Sequence, residues 1–271
     1  MPELWKDLRD CLDLRETARS ADTAEFEGTN LPLTYHRLFG GQLLAQFVRA
    51  AGRTCPDKAV KSLHAVFPKE GHNDEPVRYT ATRHHEGRTF ATLSLLARQR
   101  NGVIATASVS LHAGETGRDQ QTVPAVPALP GEEHTRTIEL LPFDLRGTTD
   151  LDDRAAAAPE SELWWRTPPV DPDLATALAA YATDLTVIGT ALRAVEGVSQ
   201  RDAGTAFTSA VTSHTLWFHR PFRTEDWLLL RQHGPLLAHG RGFGRGDILT
   251  ATGTLVASYA QESLIRFTAE A

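Results

Sequence analysis

Cysteine is nearly absent from this chain: of 271 residues only Cys11 and Cys55 carry a thiol. Two such residues, one in a charged N-terminal segment and one ahead of a strand pattern, exclude a disulfide framework and a thiolate zinc cluster. Charge of one sign is scarce too, with 28 basic against 34 acidic residues, a net charge of −6 and a pI near 6.0. Bulk electrostatics therefore give no reason to expect nucleic acid or an anionic membrane as partner. The N-terminus, MPELWKDLRDCLDLRE, lacks the apolar run of a secretory signal or a membrane span, and the expected location is the cytoplasm. Signatures of familiar chemistry are missing as well. No GxSxG pentapeptide, no HExxH and no CxxC occurs, which removes the usual serine-hydrolase and zinc-hydrolase readings. The two close histidine pairs, His84 with His85 and His214 with His219, are separated by one and five residues. Both spacings point the rings to opposite faces of a strand, so no metal site is expected. The glycine run HGRGFGRGD misses GxGxxG because Arg245 stands in the fifth place of its frame. It lies between two strand patterns and reads as a hairpin or bulge where backbones approach closely.

What is present is a repeat. FGGQLLAQFVRAAGRT places Leu43, Leu44, Phe47, Val48 and Ala51 at helical spacing behind a Gly-Gly entry, and four alternating β-type runs between Val60 and His112 follow as an antiparallel meander. After a poorer middle, a helical pattern over about 171–195 and four more β-type runs restore the theme. SLHAVF at Ser62 and SHTLWF at Ser213 stand 213 − 62 = 151 positions apart, and the pairs Phe67/Phe218 and Gly102/Gly253 share that offset. The helices register at 193 − 49 = 144 through the Arg-Ala pairs at Arg49 and Arg193. Registration at a fixed offset is the signature of internal duplication. The fold class is α+β, with residues 1–113 and 161–271 as two helix-plus-sheet copies. Residues 114–160, carrying Pro124, Pro127 and Pro130 and an apolar insert around Leu140–Leu145, are expected to be a linker.

Two polar residues stand out against these patterns. Asp184 falls on the apolar stripe of Ala177, Tyr181, Ile188, Ala191 and Val195. A carboxylate there is either a functional group or the N-cap of a second helical segment starting at Leu185, with a break over Thr183–Thr186, and spacing alone leaves both open. Gln261 lies in line with Tyr259 and Ser263 on the last strand pattern, and its counterpart at the 151 offset is Ser110. The two copies are therefore not functionally equivalent.

Several segments in order, RLFGGQLLAQ (37–46), HHEGRTFAT (84–92), NGVIATASVS (101–110), ATDL (182–185), TLWFHRPF (215–222), WLLL (227–230), RGFGRGDI (241–248) and LVASYAQE (255–262), resemble the type II acyl-CoA thioesterases. The resemblance implies a double hotdog, each half wrapping an antiparallel sheet around a helix. It also implies hydrolysis of fatty acyl-CoA to free CoA and a carboxylic acid with no cofactor. The family's catalytic group is an Asp, a Thr or Ser, and a Gln that together hold a water. Asp184 and Gln261 match the first and third. The hydroxyl position falls on Val211, and of the nearby hydroxyls only Ser213 shares its strand face, so Ser213 is the candidate substitute. Gly40, Gly41 and Gln42, at the helix entry, are the expected substrate-binding residues, their amides facing the oxyanion. Val211 keeps two alternatives in view: a non-hydrolytic acyl-CoA binder with a degraded site, and an enoyl-CoA hydratase on the same fold. Exposed sheet edges lead to the expectation of a homodimer or homotetramer.

Overall fold

A computed structural model describes residues 2–33 and 37–268. Four α-helices are present, α1 (Pro2–Leu12), α2 (Gly40–Thr54), α3 (Pro172–Ala182) and α4 (Val187–Leu192). The strands are β1 (Arg15–Arg19), β2 (Thr23–Gly28), β3 (Ala59–Val66), β4 (Val77–Glu86), β5 (Phe90–Gln99), β6 (Gly102–His112), β7 (Thr135–Ile138), β8 (Leu141–Arg146), β9 (Glu160–Arg166), β10 (Phe207–Phe218), β11 (Leu228–Ala238), β12 (Arg241–Thr250) and β13 (Leu255–Phe267). The chain divides into two compact units. One comprises Met1–Gln121, Val170–Ala182 and Thr215–Phe218; the other comprises Thr122–Pro169, Thr183–His214 and His219–Ala271.

In the first unit the strand order is β1-β2-β4-β5-β6-β3, with antiparallel pairing at each step. The predicted helix forms as α2, and Leu43, Leu44, Phe47, Val48 and Ala51 are all buried, the four larger side chains each contributing roughly 1.5–3 kcal/mol by leaving water. Phe47 meets Tyr79 of β4 edge to face at 5.5 Å. Helix α3, although it falls within the second sequence copy, belongs to this compact unit. Its Tyr181 packs edge to face on Phe39 at 5.0 Å, and a Cβ on Gly41 would stand 2.6 Å from the Tyr181 carbonyl oxygen. That close approach requires the glycine. The boundary expected between copies is therefore not a single cut through the chain. In the same unit, His64 Nδ1 lies 2.6 Å from Thr215 Oγ1, a pair related by the repeat offset itself.

In the second unit the order is β10-β13-β12-β11-β9-β8-β7. The segment 114–160 is not merely a linker. Its apolar insert forms β8, which pairs with both β7 and β9. Its proline-rich part lies on the sheet, where Val123, Val126 and Leu129 pack against Trp164, Leu229 and Leu249. Arg231 donates to the carbonyls of Pro124 and Ala125 at 3.0 and 2.8 Å. Prolines suit this strap because it makes no ladder that would need their missing N–H groups.

The glycine run is a hairpin, as its place between two strand patterns predicts. Ala238 pairs with Arg241, leaving His239 and Gly240 as a two-residue turn with φ of 54° and 73°, the positive-φ combination of a type I′ turn. Beyond it, a Cβ on Gly244 would meet Val187 of α4 at 2.4 Å, and one on Gly246 would meet the Tyr259 hydroxyl at 2.5 Å. The glycines let a helix and an aromatic ring lie directly on the strand. Among the described residues one stretch, Pro172–Leu192, is apolar and long enough to cross a membrane; it is mostly buried in the protein and is interrupted at residues 183–186.

Candidate functional site

Asp184 lies in the break between α3 and α4, and it is 4 % exposed. The break falls where the capping alternative placed it, but the cap does not. Helix α4 starts at Val187 with Thr186 at its N-cap position, two residues beyond Asp184. Apolar Val187, Ala191 and Leu192 fix α4 on the sheet from below the break, and Gly234 comes so near that a Cβ on it would touch Ala191 at 2.5 Å.

Gln261, on β13, is 1 % exposed and is held at both ends of its amide. Its Oε1 lies 2.8 Å from His214 Nδ1, and its Nε2 donates to Ser263 Oγ at 3.0 Å. His214 in turn places Nε2 3.1 Å from Thr183 Oγ1. The residue next to Asp184 is thus tied to Gln261 through one imidazole. His214 is fully buried, and burial pushes its pKa down to about 4, against the opposing effect of the Gln261 hydrogen bond; at neutral pH the ring is uncharged. It stacks on Tyr259 at 5.9 Å with planes 9° apart. Burial likewise raises the Tyr259 pKa well above its ordinary value, although its bond to Gln232 works the other way.

A second polar cluster supports the break from beneath. Gln232 of β11 donates Nε2 to Tyr259 Oη at 2.7 Å. Its Oε1 lies 3.1, 2.8 and 3.0 Å from the hydroxyls of Ser161, Thr186 and Thr190. All five side chains are buried and mutually hydrogen-bonded, which avoids the cost of an unpaired buried polar atom.

The other predicted residues fall differently. Ser213 neighbours His214 on β10, so their side chains point to opposite faces of the pleat; Ser213 takes no part in the chain from Thr183 to Gln261. Thr212 donates its hydroxyl to the Glu262 carbonyl at 3.0 Å. Gly40, Gly41 and Gln42 open α2, in the first unit. Gln42 is not free to bind a substrate: it is 0 % exposed, its Oε1 accepts from the Leu31 amide at 3.0 Å, and its Nε2 donates to Asn30 Oδ1 at 2.9 Å. Gly41 is buried by the close contacts with Phe39 and Tyr181, whereas Gly40 is half-buried. His214 and Thr183 were missed by sequence reasoning. A signal existed: at the 151 offset His214 faces Leu63, so a core leucine of one copy is an imidazole in the other.

No group of three or more His, Cys, Asp or Glu side chains able to hold a metal ion occurs among the described residues. Free Cys11 and Cys55 are both buried, and burial raises both thiol pKa values, that of Cys11 to about 12.

Comparison with known proteins bears on the whole chain. The family model for the acyl-CoA thioesterase N-terminal domain matches residues 31–112, and that for the acyl-CoA thioesterase C-terminal domain matches residues 117–265. Acyl-CoA thioesterase 2 of Haemophilus influenzae is 31 % identical over 272 residues, covering 91 % of this chain and 93 % of its own length. Acyl-CoA thioesterase II TesB2 from Mycobacterium marinum is 30 % identical and superimposes with a TM-score of 0.76 over 97 % of this chain and 99 % of that one. The tesB protein of Mycobacterium avium subs paratuberculosis, 27 % identical, reaches a TM-score of 0.79 over 96 % and 98 %. With both halves matched in order and the double hotdog architecture shared along nearly its full length, this chain belongs to the acyl-CoA thioesterase family.

Proposed function

We propose that the protein hydrolyses acyl-CoA, with Asp184 and Gln261 holding the attacking water. The observation that carries this reading is the connection from Thr183 through His214 to Gln261, which joins the backbone beside Asp184 to a buried amide on a different element. Gln261 spends one N–H on Ser263, and its second N–H is available to a water or to the thioester carbonyl. The Asp184 carboxylate takes a proton from the water as oxygen attacks the carbonyl carbon. The tetrahedral adduct then collapses with cleavage of the C–S bond. CoA departs as a thiolate, which a thiol pKa near 8.5 permits without a strong general acid, and the proton held by Asp184 returns to sulfur or solvent.

Val211, standing where the family hydroxyl is expected, favours the second reading of a binder without hydrolysis, because Thr212 is engaged with a carbonyl and Ser213 faces away from His214. Thiol release from acyl-CoAs of increasing chain length separates the two. Hydrolysis is expected for the wild type and a loss of roughly 10³-fold or more in kcat for Asp184→Asn. Binding of acyl-CoA with no thiol release at any length establishes the second reading.

A further inference from the structure

With Oε1 of the Gln261 amide facing His214, as the structure has it, the direction of the surrounding hydrogen bonds follows from counting donors and acceptors. A carbonyl oxygen only accepts, so with Oε1 at 2.8 Å it is His214 Nδ1 that carries the ring proton. The buried ring is neutral, so Nε2 holds a lone pair and Thr183 Oγ1, 3.1 Å away, donates to it. At the far end nothing selects an orientation, because the Ser263 hydroxyl can accept from the Gln261 amide nitrogen or donate to its oxygen equally well. Remove the Thr183 donor, and the ring can carry its proton on Nε2 and turn a bare Nδ1 toward Gln261. The amide would then invert, placing its oxygen where its nitrogen had been.

We propose that Thr183 and His214 are positioning residues for the reaction: Thr183 fixes the tautomer of His214, and that tautomer fixes which end of the Gln261 amide meets the water and the thioester. The proposal rests on the hydrolytic role given to Asp184 and Gln261. Tyr259, stacked on the ring, fixes its plane but has no part in choosing the tautomer. Serine at 110 and leucine at 63 occupy the matching places in the first copy, so that copy has neither the amide nor the ring that would orient it.

Two measurements test this. Long-range proton–nitrogen correlation spectra of histidine-labelled protein are expected to show His214 protonated on Nδ1, and to show proton density moving to Nε2 in Thr183→Val. A wild-type ring protonated on Nε2, or a tautomer unmoved by Thr183→Val, overturns the proposal. In steady-state thiol release, His214→Leu is expected to lower kcat roughly 10- to 100-fold, the usual effect of removing an outer partner of a functional group, with KM little changed. His214→Asn, whose amide N–H replaces Nδ1–H, is expected to recover part of that loss. A kcat within about twofold of wild type for His214→Leu, or no recovery in His214→Asn, counts against a positioning role. A wild-type protein silent toward every acyl-CoA defeats the hydrolytic reading instead, and the tautomer, read without substrate, then decides the proposal alone.

Discussion

At Gln42 and Gln46 the first copy buries two amides one helical turn apart on α2; at the positions 144 residues later, Thr186 and Thr190, the second copy buries two hydroxyls. Each pair answers to a tyrosine. The longer amides reach their own partners: Gln46 donates to the carbonyls of Cys11 and Thr29 and accepts from Tyr79 Oη at 2.5 Å. The shorter hydroxyls cannot span that distance, and Gln232 reaches across from β11 to join them to Tyr259. An internal polar cluster beneath the helix is thus a shared structural device. The chemistry is not shared. At the same offsets Asp184, His214 and Gln261 correspond to Gly40, Leu63 and Ser110, and the break over 183–186 corresponds to 39–42, where α2 begins. Only the second copy has a buried carboxylate and a buried amide at these places.

That contrast can be broken from either side. The largest effect is expected from Gln261→Ser, which gives the second copy the residue of the first: kcat should fall roughly 10²- to 10³-fold, as when one preorganised donor is removed, in a protein that still unfolds cooperatively. Acid should expose the difference next. His214 has a folded pKa of about 4 against an ordinary 6.5, so the unfolded state binds the extra proton first. Stability is therefore full above about 6.5 and is lost as pH falls toward 4, by about 3 kcal/mol in total. His214→Leu should abolish that slope in urea titrations between pH 4 and 7. Gln46→Leu should act on the scaffold alone. It leaves the Tyr79 hydroxyl and two buried carbonyls short of partners and should cost about 1–3 kcal/mol, with kcat unchanged in thiol-release assays. Smallest of all, Ser213→Ala should alter kcat by less than about twofold, since its side chain faces away from the chain ending at Gln261; a large loss would instead make Ser213 the missing hydroxyl.

Much of this was legible in local pattern. The period of α2, the meander after it and the repeat offset follow from spacing of apolar residues and glycine, whereas the interruption of the second helix is one of two readings that spacing leaves open. Other elements leave no such trace. β1, RETAR, is exposed along its length and so has no alternation to read. β7 and β8 hide in a proline-rich stretch because their strand character is decided by pairing, β7 with β8 and β8 with β9, rather than by composition. For the site, Asp184 and Gln261 stood out as polar interruptions of apolar patterns. The union of Thr183, His214 and Gln261 did not, since it brings together three elements separated by more than 30 residues, and no spacing rule reaches across tertiary contacts.

The strap over residues 122–130 bears on how the chain tolerates being cut. Because Val123, Val126 and Leu129 cover Trp164, Leu229 and Leu249, new termini or an inserted tag within the strap would uncover an apolar sheet face and invite aggregation. The preceding polar stretch from Gly114 to Gln121 is exposed and without regular structure, and is where an insertion would be accommodated.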